Sequence, residues 1–224
     1  MRNRWGVAVK RWSTGLLVAG LGLAGSASAT LISRGADLVY DDALNITWTR
    51  NANLPGSRLL VWADANAWAA NLVFAGFDDW RLPTINLTTP TTTWTECGSV
   101  SAAACAASGN ELGYMFYQNL AGLLGDNKTG NQTAVGGEVL TGIQTDYWSG
   151  TEYEPPNFAL YFLFDNSHSE LFDSGREVIA TVANNPMSAW AVRSGDVSAA
   201  VPEPQTYALL LAGLGLLGWR TRQH

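Results

Sequence analysis

The stretch NFALYFLF, residues 157–164, decides the class of fold. Both of its alternating sets of side chains are apolar, with phenylalanine and leucine in one set and alanine, tyrosine and leucine in the other. Because successive side chains of a β-strand point to opposite faces, this pattern predicts a strand that is covered on both faces. The polar residues that follow, 165–168, predict a turn.

Further β-structure is predicted on both sides of this strand. The N-terminal segment ADLVYDDALNITWTRNANL, residues 36–54, predicts two short strands about a turn at Asp41-Asp42, because β-prone residues flank a pair that favours bends. Four other short apolar segments are predicted as strands: TDYWSGT (145–151), SELFD (169–173), EVIATV (177–182) and SAWAVRSG (188–195).

Two segments are predicted to form amphipathic helices. Apolar residues at helical spacing run from Val61 to Val73, and Gly76 stands where a C-terminal cap belongs. The second helix has Asn110 as its N-cap and Gly125 as its end. Its predicted apolar face consists of Leu112, Phe116, Leu120 and Leu123.

The arrangement of these elements predicts an α+β fold. Polar stretches without periodicity, 84–108 and 126–142, are predicted as long loops. Two helices are too few to cover both faces of a parallel sheet, so we expect a single domain with a twisted antiparallel sheet, two helices and long loops.

Both ends of the chain are predicted to be processing segments. Residues 1–29 combine basic residues, a short apolar run and a small-residue end, which is typical of a secretory signal peptide. An uncleaved anchor helix is the alternative, and three glycines in the apolar run count against it. Residues 197–204 form a linker that ends in Pro202-Glu203-Pro204, and residues 205–224 form an apolar segment with a basic tail.

The C-terminal apolar segment is short for a permanent anchor. Tyr207 to Trp219 would span about 20 Å as a helix, against about 30 Å of hydrocarbon. Arg220 and Arg222 follow and are expected to stay in the cytoplasm. The order of Pro-Glu-Pro, apolar helix and arginines resembles the PEP-CTERM sorting signal. The resemblance implies recognition by an exosortase-type membrane protease, transient membrane insertion, and delivery through the inner membrane to the cell surface or extracellular matrix.

Charge and cysteine content limit the partners. The whole chain has a net charge of −6, while residues 30–200 contain seven basic and eighteen acidic residues, which gives −11. Such a surface repels polyanions, so a nucleic-acid partner is not expected. Cys97 and Cys105 are predicted to form a local disulfide, because export places them in an oxidising compartment. Reduced thiols remain the alternative.

Four motifs in a fixed order carry a family resemblance: LVYDDALNITWTRNANL, WRLPT, YWSGTE and AWAVRSGD. Together they resemble the Lcl C-terminal domain family over residues 36–196, and we place the domain at 30–196. The resemblance implies a lectin-like fold of the C-type-lectin or formylglycine-enzyme kind. It also implies adhesion through glycans such as glycosaminoglycans. The charge of −11 favours a neutral polysaccharide or a protein partner instead.

Two sets of residues are candidate ligand contacts. Glu154 and Asn157, with Asp165 and Asn166 after them, resemble the calcium-binding motif of sugar-binding C-type lectins, although an extra proline breaks the register. A polar loop stiffened by prolines is the alternative, and we assign no metal or other cofactor. Aromatic rings in or beside loops can stack on sugars, and these are Trp94, Tyr147, Trp148 and Tyr153.

No catalytic residue is assigned. His168 is expected in a solvated turn, and paired carboxylates such as Asp78-Asp79 are expected to cap loops or to pair with Arg81. Arg81 and Arg193 are predicted to form partly buried charge pairs that fix the fold. The sequence therefore predicts a non-enzymatic surface or matrix protein that binds extracellular polysaccharide or surface glycan, or contributes to adhesion in a biofilm. A polysaccharide-acting enzyme and a purely structural matrix protein are the alternatives.

Overall fold

A computed structural model describes residues 30–56, 58–88, 93–167 and 173–197. The predicted signal peptide, the sorting signal and His168 lie outside these ranges. No helix in the described part of the chain is long and apolar enough to cross a membrane.

The two ends of the domain meet in a four-stranded antiparallel sheet. Its strands lie in the order β1 (Leu31–Ser33), β2 (Leu38–Asp41), β3 (Ile46–Thr49) and the last strand of the fold, β11 (Val192–Ser194). The predicted turn between β2 and β3 is confirmed. Its geometry is set by Asp41, whose carboxylate accepts hydrogen bonds from two backbone N–H groups of the turn, each at 3.1 Å.

A second antiparallel sheet contains the stretch 157–164. Strand β9 (Phe158–Leu163) lies between β8 (Asp146–Tyr153) and β10 (Glu177–Thr181). Leu160 and Phe162 pack into the main hydrophobic core, whereas Ala159 on the other face packs into a separate cluster beside the first helix. The prediction of a strand covered on both faces is therefore confirmed.

The remaining strands form two short antiparallel hairpins. One joins β4 (Leu87–Thr88) to β5 (Thr93–Trp94), and the other joins β6 (Gly130–Thr133) to β7 (Val139–Ile143). Both lie inside stretches that were predicted as loops. These segments contain polar residues and threonine without strict alternation, so their pairing depends on partners that periodicity does not reveal.

The helices are shorter than their sequence pattern predicts. Helix α1 covers Trp62–Ala70, and the chain then turns so that Phe74 and Phe77 exchange backbone hydrogen bonds. Gly76 belongs to this turn and does not cap the helix. Val73 was predicted on the buried face but is 75% exposed, because the helix has already ended.

The second predicted helix begins as expected and ends early. The Asn110 side chain accepts a hydrogen bond from Gly113 N at 3.0 Å, which confirms it as the N-cap of α3 (Glu111–Tyr114). The chain continues as a π-helical turn, Met115–Asn119, and leaves helical geometry at Ala121, whose φ is 46°. Leu123 was predicted on the apolar face, but it is 70% exposed.

A third helix was not predicted. Helix α2 (Ala102–Ser108) follows a 3₁₀ turn (Cys97–Ser99), and the Ser101 hydroxyl caps it by accepting from Ala104 N. Its residues are alanine, serine and cysteine, so it lacks the apolar periodicity that identifies a helix in sequence. With three α-helices and open antiparallel sheets in the described ranges, the α+β class is confirmed.

The two arginines of the family-like motifs form the predicted charge pairs. Arg81 contacts both oxygens of the Glu111 carboxylate at 2.7 Å, and Arg193 contacts both oxygens of Asp79 at 2.6 and 2.8 Å. Pairing of Asp79 with Arg81 was therefore wrong. Glu111 also accepts from Thr84 N, so this pair ties the segment after Arg81 to the start of α3.

Candidate functional site

Two of the four aromatic candidates are core residues. Tyr147 and Trp148 lie on β8 with no exposed surface, and both of their polar groups bond to backbone. The Tyr147 hydroxyl donates to Ala52 O at 3.1 Å, and the Trp148 indole donates to Leu60 O at 2.9 Å. The prediction that these rings contact a ligand is wrong, because β8 is packed on both faces along this part of its length.

The residues of the predicted calcium motif are not brought together. Glu154 and Asn157 lie in the turn before β9, whereas Asp165 and Asn166 follow the other end of that strand. A six-residue strand separates the two pairs by about 20 Å. In the described ranges, no group of three acidic, histidine or cysteine residues is arranged to hold a metal ion.

Asp165 is occupied within the fold. It is 8% exposed, and its carboxylate accepts from Asn127 Nδ2 at 3.0 Å and from Ser167 N at 2.8 Å. These bonds fix the turn after β9. The resemblance to a calcium motif therefore reflects turn chemistry at two separate loops.

The other two aromatic candidates do lie together. The rings of Trp94 and Tyr153 are in edge-to-face contact with centroids 6.1 Å apart, and both side chains are half-buried. Trp94 lines a cleft of about 500 Å³, which we call the Trp94 cleft. The described residues that line it all fall within the stretch 93–100, and they are Thr93, Trp94, Thr95, Glu96, Ser99 and Val100.

A disulfide holds this wall in place. Cys97 and Cys105 are bonded, as predicted, and both are buried against Tyr114. The bond links the 3₁₀ turn at residues 97–99 to the middle of α2, so it closes the loop that presents Glu96 and Ser99. The sequence predicts the disulfide bond, but no pattern in it reveals the cleft that the bond supports.

A buried carboxylate lies beneath Trp94. Glu177, at the start of β10, is 7% exposed and accepts a side-chain hydrogen bond from Asn110. Burial raises the pKa of Glu177 to about 7, which the hydrogen bonds from Asn110 and the Trp94 indole oppose and the nearby charge of Glu96 reinforces. Trp94 thus lies beside Glu177, and its ring is in contact with Tyr153.

Little in the sequence indicates that Glu177 is buried beside Trp94. The only available signal was a glutamate that opens the otherwise apolar strand EVIATV. Its partners Trp94 and Asn110 are distant in the chain, so no local pattern relates the three residues.

A second, smaller cleft adjoins the first. Its volume is about 220 Å³, and it shares Glu96 and Ser99 with the Trp94 cleft. We call it the Tyr117 cleft, because Tyr117 forms part of its wall. A third groove, of about 450 Å³, runs along α1 beside Trp68 and has none of these residues in its lining.

The paired carboxylates of the sequence do not form a catalytic pair at either adjoining cleft. Asp41 is fully buried in its turn, where burial raises its pKa to about 6 and the hydrogen bond from Asn119 opposes this. The hydrogen bond from Arg193 holds the pKa of Asp79 below its usual value. Glu96 lines the Trp94 cleft, and the buried Glu177 lies near enough for the charge of Glu96 to affect its pKa.

Comparison with known proteins gives two matches, both to family models. The PEP-CTERM protein-sorting motif matches residues 200–223, which supports export and exosortase-dependent delivery to the cell surface. No curated protein and no solved structure matches the chain. The Lcl C-terminal domain model matches residues 37–206. Because this match covers well over half of the 224 residues, the chain belongs to the Lcl C-terminal domain family.

Proposed function

We propose that this exported surface protein binds a neutral polysaccharide at the Trp94 cleft without transforming it. The observation that supports the proposal is an indole ring that packs against Tyr153 and is partly exposed in a cleft of about 500 Å³. A rigid aromatic ring offers an apolar face to the C–H face of a sugar, and it loses little conformational entropy on binding.

The polar groups around the indole suit sugar hydroxyls. Thr93 and Ser99 provide hydroxyl oxygens that accept, since the Ser99 hydroxyl itself donates to Glu96 O at 2.9 Å, and Glu96 provides a carboxylate that accepts. Cleft walls with a few convergent polar groups around an apolar surface are typical of small-molecule and sugar sites. Sugar binding of this kind is typical of lectins, and we include a C-type-lectin-like topology in the proposal.

Charge supports a neutral ligand over a sulfated one. Residues 30–200 carry a net charge of −11, and Glu96 adds negative charge at the cleft itself. A polyanion would have to overcome this repulsion. We therefore expect neutral extracellular polysaccharide as the partner, no nucleic acid, no metal or other cofactor, and a role in adhesion or biofilm.

Delivery depends on the C-terminal segment. An exosortase-type sorting protease is the proposed second partner, with Pro202, Glu203 and Pro204 as its recognition element. The segment 205–224 inserts transiently into the membrane and is removed during delivery. The domain then remains outside the inner membrane, where polysaccharide is available.

A glycan array tests the binding proposal. The exported protein is applied to neutral and acidic glycans, and Trp94→Ala is compared with Trp68→Ala, which removes an indole from the separate groove along α1. We expect binding to neutral glycans that Trp94→Ala abolishes and Trp68→Ala retains, with far-ultraviolet circular dichroism as the check on folding. Absence of binding to every glycan would favour the purely structural alternative.

A polysaccharide-acting enzyme is the second candidate, because two carboxyl groups, those of Glu96 and Glu177, lie near each other beside the Trp94 cleft. A raised pKa suits Glu177 to a general acid, and Glu96 would be its partner. Against this, Glu177 is 7% exposed and already accepts a hydrogen bond from Asn110. Release of reducing ends from any bound oligosaccharide, lost in Glu96→Gln, would establish the enzyme and overturn the non-enzymatic proposal.

A further inference from the structure

The Tyr117 cleft has a rigid floor. The Tyr117 hydroxyl donates to Gly175 O at 2.7 Å, and its ring is in edge-to-face contact with Phe116 at 5.0 Å. Gly98 and Gly175 lie directly against the ring, since a Cβ added at either position would come within 2.6 or 2.5 Å of Tyr117 atoms. Only glycine at both positions permits this close approach, so the wall of the cleft is built around the tyrosine.

The cleft has an apolar side and a charged side. Leu123 and Leu124 line it with 70% and 52% of their surfaces exposed, which makes two adjacent large apolar side chains available to a ligand. Arg176 and Glu96 also line the cleft, and they carry charges of opposite sign. A group with a methyl and a carbonyl or hydroxyl oxygen would satisfy both sides, because the methyl would cover leucine and the oxygen would accept from the guanidinium.

The two clefts are continuous along the disulfide-closed loop. Glu96 and Ser99 line both of them, so one ligand lying over these residues reaches Trp94 on one side and Tyr117 on the other. A terminal sugar would fill one cleft alone. A chain of linked sugars would fill both, and its neighbouring residues would meet different chemistry.

We propose that the Tyr117 cleft is a second subsite, which takes an acetylated sugar next to the sugar that stacks on Trp94. This rests on the proposed function, because it requires that the Trp94 cleft bind sugar. The expected ligand is therefore a neutral polysaccharide with acetyl substituents, which binds with consecutive sugars in the two clefts. The acetyl methyl lies against Leu123 and Leu124, and the acetyl oxygen accepts from Arg176.

Oligosaccharides with one linkage and different substituents test the subsite. The exported protein is titrated calorimetrically with β-1,4-linked N-acetylglucosamine and with β-1,4-linked glucose, each as monomer and tetramer. We expect the acetylated tetramer to bind at least tenfold more tightly than its monomer and than the glucose tetramer. The paired change Leu123→Ser and Leu124→Ser alters exposed side chains only, and it should remove that tenfold gain while leaving the binding of the glucose monomer, which has no acetyl group, unchanged.

The outcomes separate this inference from the proposed function. If Trp94→Ala abolishes binding but the leucine variant retains the full gain for the acetylated tetramer, the second subsite is overturned and the Trp94 site stands. Equal affinity for the acetylated and glucose tetramers also overturns it. If no oligosaccharide of either series binds, both the proposed function and the second subsite are refuted for β-1,4-linked chains.

Discussion

The Glu177→Gln variant should remove a pH dependence that the wild-type domain carries in its free energy of unfolding. Burial raises the pKa of Glu177 from an ordinary 4.5 to about 7 in the folded protein. A carboxyl group with a raised pKa binds its proton more tightly when folded. Its contribution to stability is therefore complete below about pH 4.5 and is lost as the pH rises through 7.

The size of the effect follows from this difference in pKa. At about 1.4 kcal/mol for each pH unit, the displacement from 4.5 to about 7 amounts to about 3 kcal/mol. Glutamine has the shape of the protonated glutamic acid and does not titrate. The variant should thus gain about 3 kcal/mol relative to the wild type between pH 4.5 and pH 8, whatever its constant cost.

Urea unfolding of both proteins between pH 4.5 and pH 8 measures this difference. Glu154→Gln, which changes an exposed carboxylate in the turn before β9, is the matched control and should leave the pH profile of the wild type unchanged. Glu96→Gln should move the transition to lower pH, because the charge of Glu96 raises the pKa of Glu177. If Glu177→Gln and the wild type differ by the same amount at every pH, to within about 0.5 kcal/mol, the assignment of a buried titrating carboxyl is refuted.

Three other changes have defined outcomes. Arg81→Met should lower the free energy of unfolding by about 2–3 kcal/mol, since it strips a buried carboxylate of its bidentate partner, and a loss below about 0.5 kcal/mol would contradict that role. Replacing Cys97 and Cys105 together by serine should cost roughly 2–3 kcal/mol in urea unfolding, and unchanged stability would show that the closed loop adds nothing. Intact mass of the exported protein should show a C-terminus before His224, whereas Glu203→Ala should retain the whole tail, and an uncleaved wild type would exclude removal of the sorting segment.

Local patterns in the sequence were enough for elements whose partners are simple. Strand β9 was identified because apolar residues on both faces have one structural meaning, namely cover on both sides. Asn110 was identified as an N-cap because its side chain acts three residues away. The disulfide was also a local feature, because its two cysteines are eight positions apart.

The candidate site could not be assembled in the same way. Trp94 and Glu177 lie close together although 83 positions separate them in the chain. Tyr147 and Trp148 were predicted as ligand contacts because they were expected in or beside loops, whereas β8 carries them into the core. Leu123 was assigned to a helix face because periodicity does not show that the helix ends near Asn119.

The pairing of β3 with β11 has a consequence for the order of events during export. Trp48 lies opposite Val192, so a central contact of the first sheet joins positions 144 residues apart, and contacts of such long range form slowly. An exported chain therefore cannot complete this sheet until Val192 can pair with Trp48, which requires that nearly the whole domain be on the same side of the membrane. We expect the domain to become resistant to proteases only from that point.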